Sequence, residues 1–167
     1  MSSPTPSAPH CVFCDLIRGA AEVSLCYEDS TALAFMDIQP VNPYHVLVIP
    51  REHYATLEEL PREAARHLFE VTATLSNVVQ KVSGTTAMNI VVNSGAAAGQ
   101  DVFHFHVHLI PRRPGDDFDI PLPFGGSQMP DRTVLDMTAA RIIAALRDPA
   151  GAGRRPPVQS PAAKAKR

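Results

Sequence analysis

The chain has no apolar stretch long enough to cross a bilayer as a helix, which takes about 20 such residues. Met1 to Pro9 contain neither a basic side chain nor an apolar run, so this segment does not read as a secretory signal. Cysteine is scarce. Three in 167 residues, two of them close together, do not make a disulfide framework. No membrane association and a cytoplasmic location are the expectation. Basic residues are also thin in the body of the chain. Residues 11–148 hold 10 Lys and Arg against 17 Asp and Glu, a net of −7, while residues 149–167 carry five basic and no acidic side chains, a net of +5. An acidic body argues against a broad nucleic-acid surface, which needs clustered Lys and Arg. The basic tail reads as a solvated segment rather than an RNA or membrane contact.

What is present fits one domain with a real core. Seven of the sixteen prolines fall in residues 1–10 and 149–167, among Ala, Ser and Gly with little that could pack. Those two ends are expected to be disordered, which leaves a folded body at 11–148. Within it, Cys11 to Arg18 reads as a short helix closed by Gly19. Val23–Tyr27, Ala32–Phe35, His45–Ile49, Met88–Val92 and Val102–Ile110 read as strands. Pro61 opens a long helix that ends near Gly84 and turns Ala65, Leu68, Phe69, Thr72, Leu75 and Val79 to one side. Pro111 to Pro130 has no period and reads as an irregular excursion, and Thr133–Arg147 as a last helix. Strands joined by short turns with one long helix inserted predict an α+β fold on an antiparallel sheet.

Three histidines stand at alternate positions, His104, His106 and His108. On a strand they share one face, with Phe103, Phe105, Val107 and Leu109 on the other. Incidental histidines on an exposed face are one reading. A single catalytic zinc is a second, but His108 lies roughly 13 Å from His104 along an ideal strand, too far for all three to share one tetrahedral ion. Division of labour is the third: one structural imidazole, one nucleophile, one phosphate contact. Cys11 and Cys14 have the spacing of half a zinc site, with His53 and one triad histidine as candidate completing ligands. The loop Asn93–Gln100 contains Gly95 and Gly99, whose backbone freedom allows N–H groups to converge on an anion.

The run Gly99-Gln100-Asp101-Val102-Phe103-His104-Phe105-His106-Val107-His108-Leu109-Ile110-Pro111-Arg112 closely resembles the histidine triad family of nucleotide hydrolases and transferases. Phe13, the run Phe35-Met36-Asp37-Ile38-Gln39-Pro40 and the run His45-Val46-Leu47-Val48-Ile49-Pro50 match in the same order. The resemblance implies a nucleotide-binding domain over 11–148, a five-stranded antiparallel sheet with a long helix and a short N-terminal one, two copies pairing into a ten-stranded homodimer sheet. It implies that His106 attacks the α-phosphorus of a purine nucleotide, forming a nucleotidyl-histidine that water resolves to the nucleoside monophosphate. By the same resemblance His45 tunes the other histidines, His108 contacts phosphate, and Gln100 with the Gly99 loop holds phosphate oxygens. Asp37 takes the ribose hydroxyls, and Phe13, Leu16, Phe35, Ile38 and Leu47 wall the base; Asn93 and Asp101 complete the nucleotide-binding set. One branch of the family implies a structural zinc on Cys11, Cys14, His53 and His104. Asp101 departs from the pattern, since many members carry Ser or Thr there, and this puts the choice of leaving group in question. A dinucleoside polyphosphate hydrolase, to which the Gly-Asp run in Arg112–Phe118 is similar, and a non-catalytic nucleotide-binding scaffold are the alternative functions.

Overall fold

The computed structural model describes residues 11–120 and 130–147. The tails expected to be disordered, 1–10 and 149–167, lie outside the described residues. The chain divides into two compact units, Met1–Phe118 and Asp119–Arg167.

The first unit is an antiparallel sheet of five strands: β1 Leu25–Glu28, β2 Ala32–Met36, β3 Val46–Pro50, β4 Ala87–Val91 and β5 Val107–Arg112, in the spatial order β1-β2-β3-β5-β4. The middle strands β2 and β3 are almost continuously apolar because both of their faces are covered. Ala32, Ala34, Val46 and Val48 join Val107 and Leu109 of β5 under the long helix α2, Arg62–Ser83, which contributes Leu68, Val71, Leu75 and Val79. The alternate residues Leu33, Phe35, Leu47 and Ile49 face the other way and pack with Phe13 of the short helix α1, Val12–Ile17. The period of two thus sorts each strand between two cores. Helix α2 begins after Pro61 and stops at Gly84, which takes the left-handed conformation (φ 68°) that ends a helix at low cost in glycine.

Three expectations are corrected. Phe69 does not face the core: it is 42% exposed, and Val71 occupies the buried row with Leu68 and Leu75. The fifth strand does not run from Val102 to Ile110. It begins at Val107 and extends through Pro111 and Arg112, so His104 and His106 precede it, and the irregular excursion starts later than Pro111. The first strand starts at Leu25, two residues after Val23. In the second unit, helix α3 spans Arg132–Arg147, one residue longer than expected. No helix among the described residues is long and apolar enough to cross a membrane.

Candidate active site

Two sites meet where α1, the end of β3 and the approach to β5 converge. The first is built on sulfur and nitrogen. Cys11 sits at the N-terminus of α1 and Cys14 one turn on, so the helix brings both thiols together. The segment after β3 adds His53, and the bend before β5 adds His104; one ligand atom from each of the four lies within 4.8 Å of all the others. Cys14 Sγ is 3.3 Å from His53 Nδ1 and 3.6 Å from His104 Nδ1, and Cys11 Sγ is 3.6 Å from His104 Nδ1. A tetrahedral ion with bonds of about 2.0–2.3 Å separates its ligands by roughly 3.3–3.8 Å, so the spacing is that of a four-ligand site. His104 donates from Nε2–H to the Pro50 carbonyl at 2.8 Å, which leaves the Nδ1 lone pair turned to the thiols. Burial, reinforced by Cys11, pushes the Cys14 thiol up to about 11 in the absence of a cation, and burial holds His104 down to about 4. A cation that displaces the thiol protons removes this strain. These four residues could therefore hold a metal ion.

The second site is the rest of the triad. His106 is 6% exposed, and its Nδ1–H donates to the His104 carbonyl at 2.7 Å. With that proton engaged, the lone pair lies on Nε2. Phe13 packs edge-on against the ring, centroids 5.4 Å apart. A relay of hydrogen bonds orders His108. Val41 N–H donates to His45 Nδ1 at 3.2 Å, so His45 carries its proton on Nε2 and gives it to His108 Nδ1 at 3.0 Å. His108 is left with its proton on Nε2. The Asp37 carboxylate also stands 3.5 Å from His45 Nδ1, but the nearer amide decides the tautomer. Burial keeps His45, His106 and His108 neutral, lowering all three; His108, further depressed by His106 and His45, falls to about 4. The pair therefore presents one lone-pair donor, His106, beside one N–H donor, His108.

Both open onto a cleft of about 1130 Å³, ample for a nucleotide with a leaving group attached. Of the residues singled out from sequence, Phe13, Leu16, Phe35, Asp37, Ile38, Leu47, Asn93, Gly99, Asp101, His106 and His108 line it. Ile38 stands 92% exposed at its mouth rather than in a wall. His45 is buried behind His108. Gln100 is placed differently from expectation. Its carbonyl accepts from Gly95 N–H at 2.7 Å and its amide donates to Ala55 O at 2.7 Å and Val102 O at 3.0 Å. Gln100 thus braces the glycine loop instead of reaching toward a phosphate. Sequence reading missed Val12, Glu22, Met36 and Val102, which also line the cleft. It missed as well the clamp on the Asp37–His45 loop, in which Asn42 donates to Pro111 O (2.8 Å) and to Asp116 (2.9 Å) while Arg112 pairs with Asp116. Arg112 and Asp116 are four residues apart, but Asn42 lies 69 positions before Pro111 and 74 before Asp116, so the clamp gives no local signal.

Residues 18–115 match the HIT domain. The chain belongs to the HIT family. It is 42% identical over 106 residues to the adenylylsulfatase HINT3 of Arabidopsis thaliana, covering 64% of this chain and 54% of that protein, so it spans about half the length of this relative. Among solved HIT folds, a histidine triad nucleotide-binding protein from Candida albicans superimposes with a TM-score of 0.75 at 28% identity, over 83% of this chain and 99% of the other. A Zn-bound histidine triad family protein from Mycobacterium smegmatis aligns with a TM-score of 0.63 at 33% identity, over 81% and 96%.

Proposed function

We propose that this HIT protein is a hydrolase that acts at the α-phosphate of a purine nucleotide through a covalent intermediate on His106. The observation that carries the reading is the hydrogen bond from His106 Nδ1–H to the His104 carbonyl, which leaves a neutral nucleophile facing the cleft. In the first step His106 Nε2 attacks phosphorus, a P–N bond forms, and the bond to the leaving group breaks with its electron pair. The leaving group takes up a proton. In the second step water attacks phosphorus, the P–N bond breaks back onto His106, and the proton released by water balances the one consumed. The products are a nucleoside monophosphate and the protonated leaving group. His108 supports the phosphoryl oxygens through its Nε2–H, and Asp37 accepts from the ribose hydroxyls. Phe13, Leu16, Phe35 and Leu47 take the base, with Ile38 covering it from outside. Since Gln100 is engaged by the loop, Gly99 and Asn93 are left as the phosphate contacts on that side. The likeness to an adenylylsulfatase and to a nucleotide-binding protein supports a nucleotidyl group at the cleaved centre.

Adenosine 5′-phosphoramidate is the test substrate. Release of AMP is expected, and His106→Ala should lose at least about a thousandfold of it, as removing a covalent nucleophile does. Full turnover by that variant would remove His106 from the role.

Cys11, Cys14, His53 and His104 are assigned a structural zinc ion, with four protein ligands and no open position. The donor set, its spacing and the Zn-bound relative support this. Such an ion takes no part in the reaction. It fixes His104, and through the His104 carbonyl the ring of His106. Homodimer pairing along β4 completes the reading: β4 is an edge strand, and its Ile90 is about half exposed, as is Val78 on α2.

A further inference from the structure

The charges around the cleft are one-sided. Glu22, Asp37 and Asp101 line it, and no Lys or Arg is among the lining residues. A phosphoryl group that arrives there finds hydrogen-bond donors but no balancing cation. Any further negative charge on the substrate meets only carboxylates.

Asp37 already has partners: it stands 3.5 Å from His45 Nδ1 and accepts from Gln39 N–H at 2.8 Å. Asp101 is different. It is exposed, and among the described residues no hydrogen bond or ion pair engages its carboxylate. Its backbone, by contrast, is held. Gln100 on one side is buried and triply hydrogen-bonded, and His104 on the other is anchored at Pro50 and faces the thiols. The segment between them spans only three residues and also leads directly to His106. An uncompensated carboxylate thus stands in the same cleft as Gly99, Asn93 and His106, on a backbone segment held at both ends.

Resting on the hydrolase reading above, we infer that Asp101 is a specificity-determining residue that selects leaving groups by charge. It favours a leaving group that carries an ammonium, such as an amine with a second amino group, and it disfavours one that carries a carboxylate, phosphate or sulfate. The chemistry is that of the hydrolysis already described: the P–N bond to the substrate amine breaks, the amine leaves protonated, and its distal cation is what Asp101 attracts.

Three AMP phosphoramidates of nearly equal size isolate the effect: those of ethylenediamine (distal ammonium), n-propylamine (neutral) and glycine (distal carboxylate). For the wild-type protein kcat/KM should fall in that order, by roughly threefold to tenfold per unit of charge, as expected for one partly screened carboxylate at short range. The ratio of ammonium to carboxylate substrate should collapse towards one in Asp101→Asn, persist in Asp101→Glu, and shrink in wild type as NaCl rises from about 0.05 to about 0.5 M. Since the readout is a ratio within each variant, a general loss of activity does not obscure it. Hydrolysis of all three at equal rates, or an unchanged ratio in Asp101→Asn, overturns the inference while leaving the hydrolase reading intact. No hydrolysis of any conjugate by wild type overturns both.

Discussion

What one imidazole can do is decided by its second nitrogen. His106 carries its lone pair on Nε2, as the proposed nucleophilic role requires, because Nδ1–H is given to the His104 carbonyl, and His108 is a donor because His45 supplies the proton on its other side. Both depend on neutrality, and this ties the site to pH. His108 binds a proton near pH 4 when folded but near 6.5 when unfolded. A proton therefore favours the unfolded chain between those values. The stability contributed by the neutral ring is complete above about pH 6.5 and is lost as pH falls towards 4. Urea unfolding at pH 7, 6 and 5 should show wild type weakening towards acid, and His108→Asn should show a shallower fall. Parallel slopes would mean that His108 is not held neutral by the fold. The spacing of the three histidines made a division of roles one of three readings, and their different partners in the structure support it. Where the strand begins was not legible, because Val102–Phe105 looks as β-forming as Val107–Ile110. The backbone there bonds elsewhere: His104 N–H donates to Val102 O at 2.9 Å and Phe105 N–H to Tyr54 O at 2.6 Å. That bend lets His104 reach the thiols, a demand imposed by residues about ninety positions away.

Among the elements, α2 shows where periodicity informs and where it fails. Leu68, Thr72, Leu75 and Val79 follow the helical repeat and are buried as expected. Phe69 was drawn into the face by its hydrophobicity, although it lies about 100° round the helix from Leu68. The i+3 and i+7 neighbours of Leu68 are Val71 and Leu75, and the smaller Val71 is what the sheet accommodates. Leu68→Ala should accordingly cost about 2–5 kcal/mol, as buried leucines do, whereas Phe69→Ser should cost under about 1 kcal/mol. Equal losses in thermal or chemical unfolding would return Phe69 to the core. At the end of the same helix, a Cβ at Gly84 would meet nothing within 4 Å, so the penalty for Gly84→Ala comes from the left-handed backbone alone. A loss of about 1 kcal/mol is expected. The strands β2 and β3 were legible for the opposite reason: a run apolar on both faces has few other places to go than the middle of a covered sheet.

At the scale of the molecule, the proposed zinc and the cleft share the same scaffold. Cys11 and Cys14 flank Phe13, and Leu16 follows within the same short helix, so two of the four proposed ligands and part of the proposed base wall are carried by the six residues of α1 and the residue before it. A helix that short is not stable by itself. Its place against Leu33, Phe35, Leu47 and Ile49 is held by a small apolar patch and by whatever joins Cys11 and Cys14 to His53 and His104. Removal of zinc should therefore act on binding and on stability before it acts on chemistry. Stripping the protein with a strong chelator, with metal content followed by elemental analysis, should lower Tm and raise KM for adenosine 5′-phosphoramidate, with a smaller change in kcat; readdition of zinc should reverse both. Cys14→Ser should reproduce the stripped state in one substitution. The contrast with a catalytic ion is sharp. Were the metal to activate water, chelation would abolish kcat and leave Tm nearly unmoved, and the nucleophilic role of His106 would have to be given up with it.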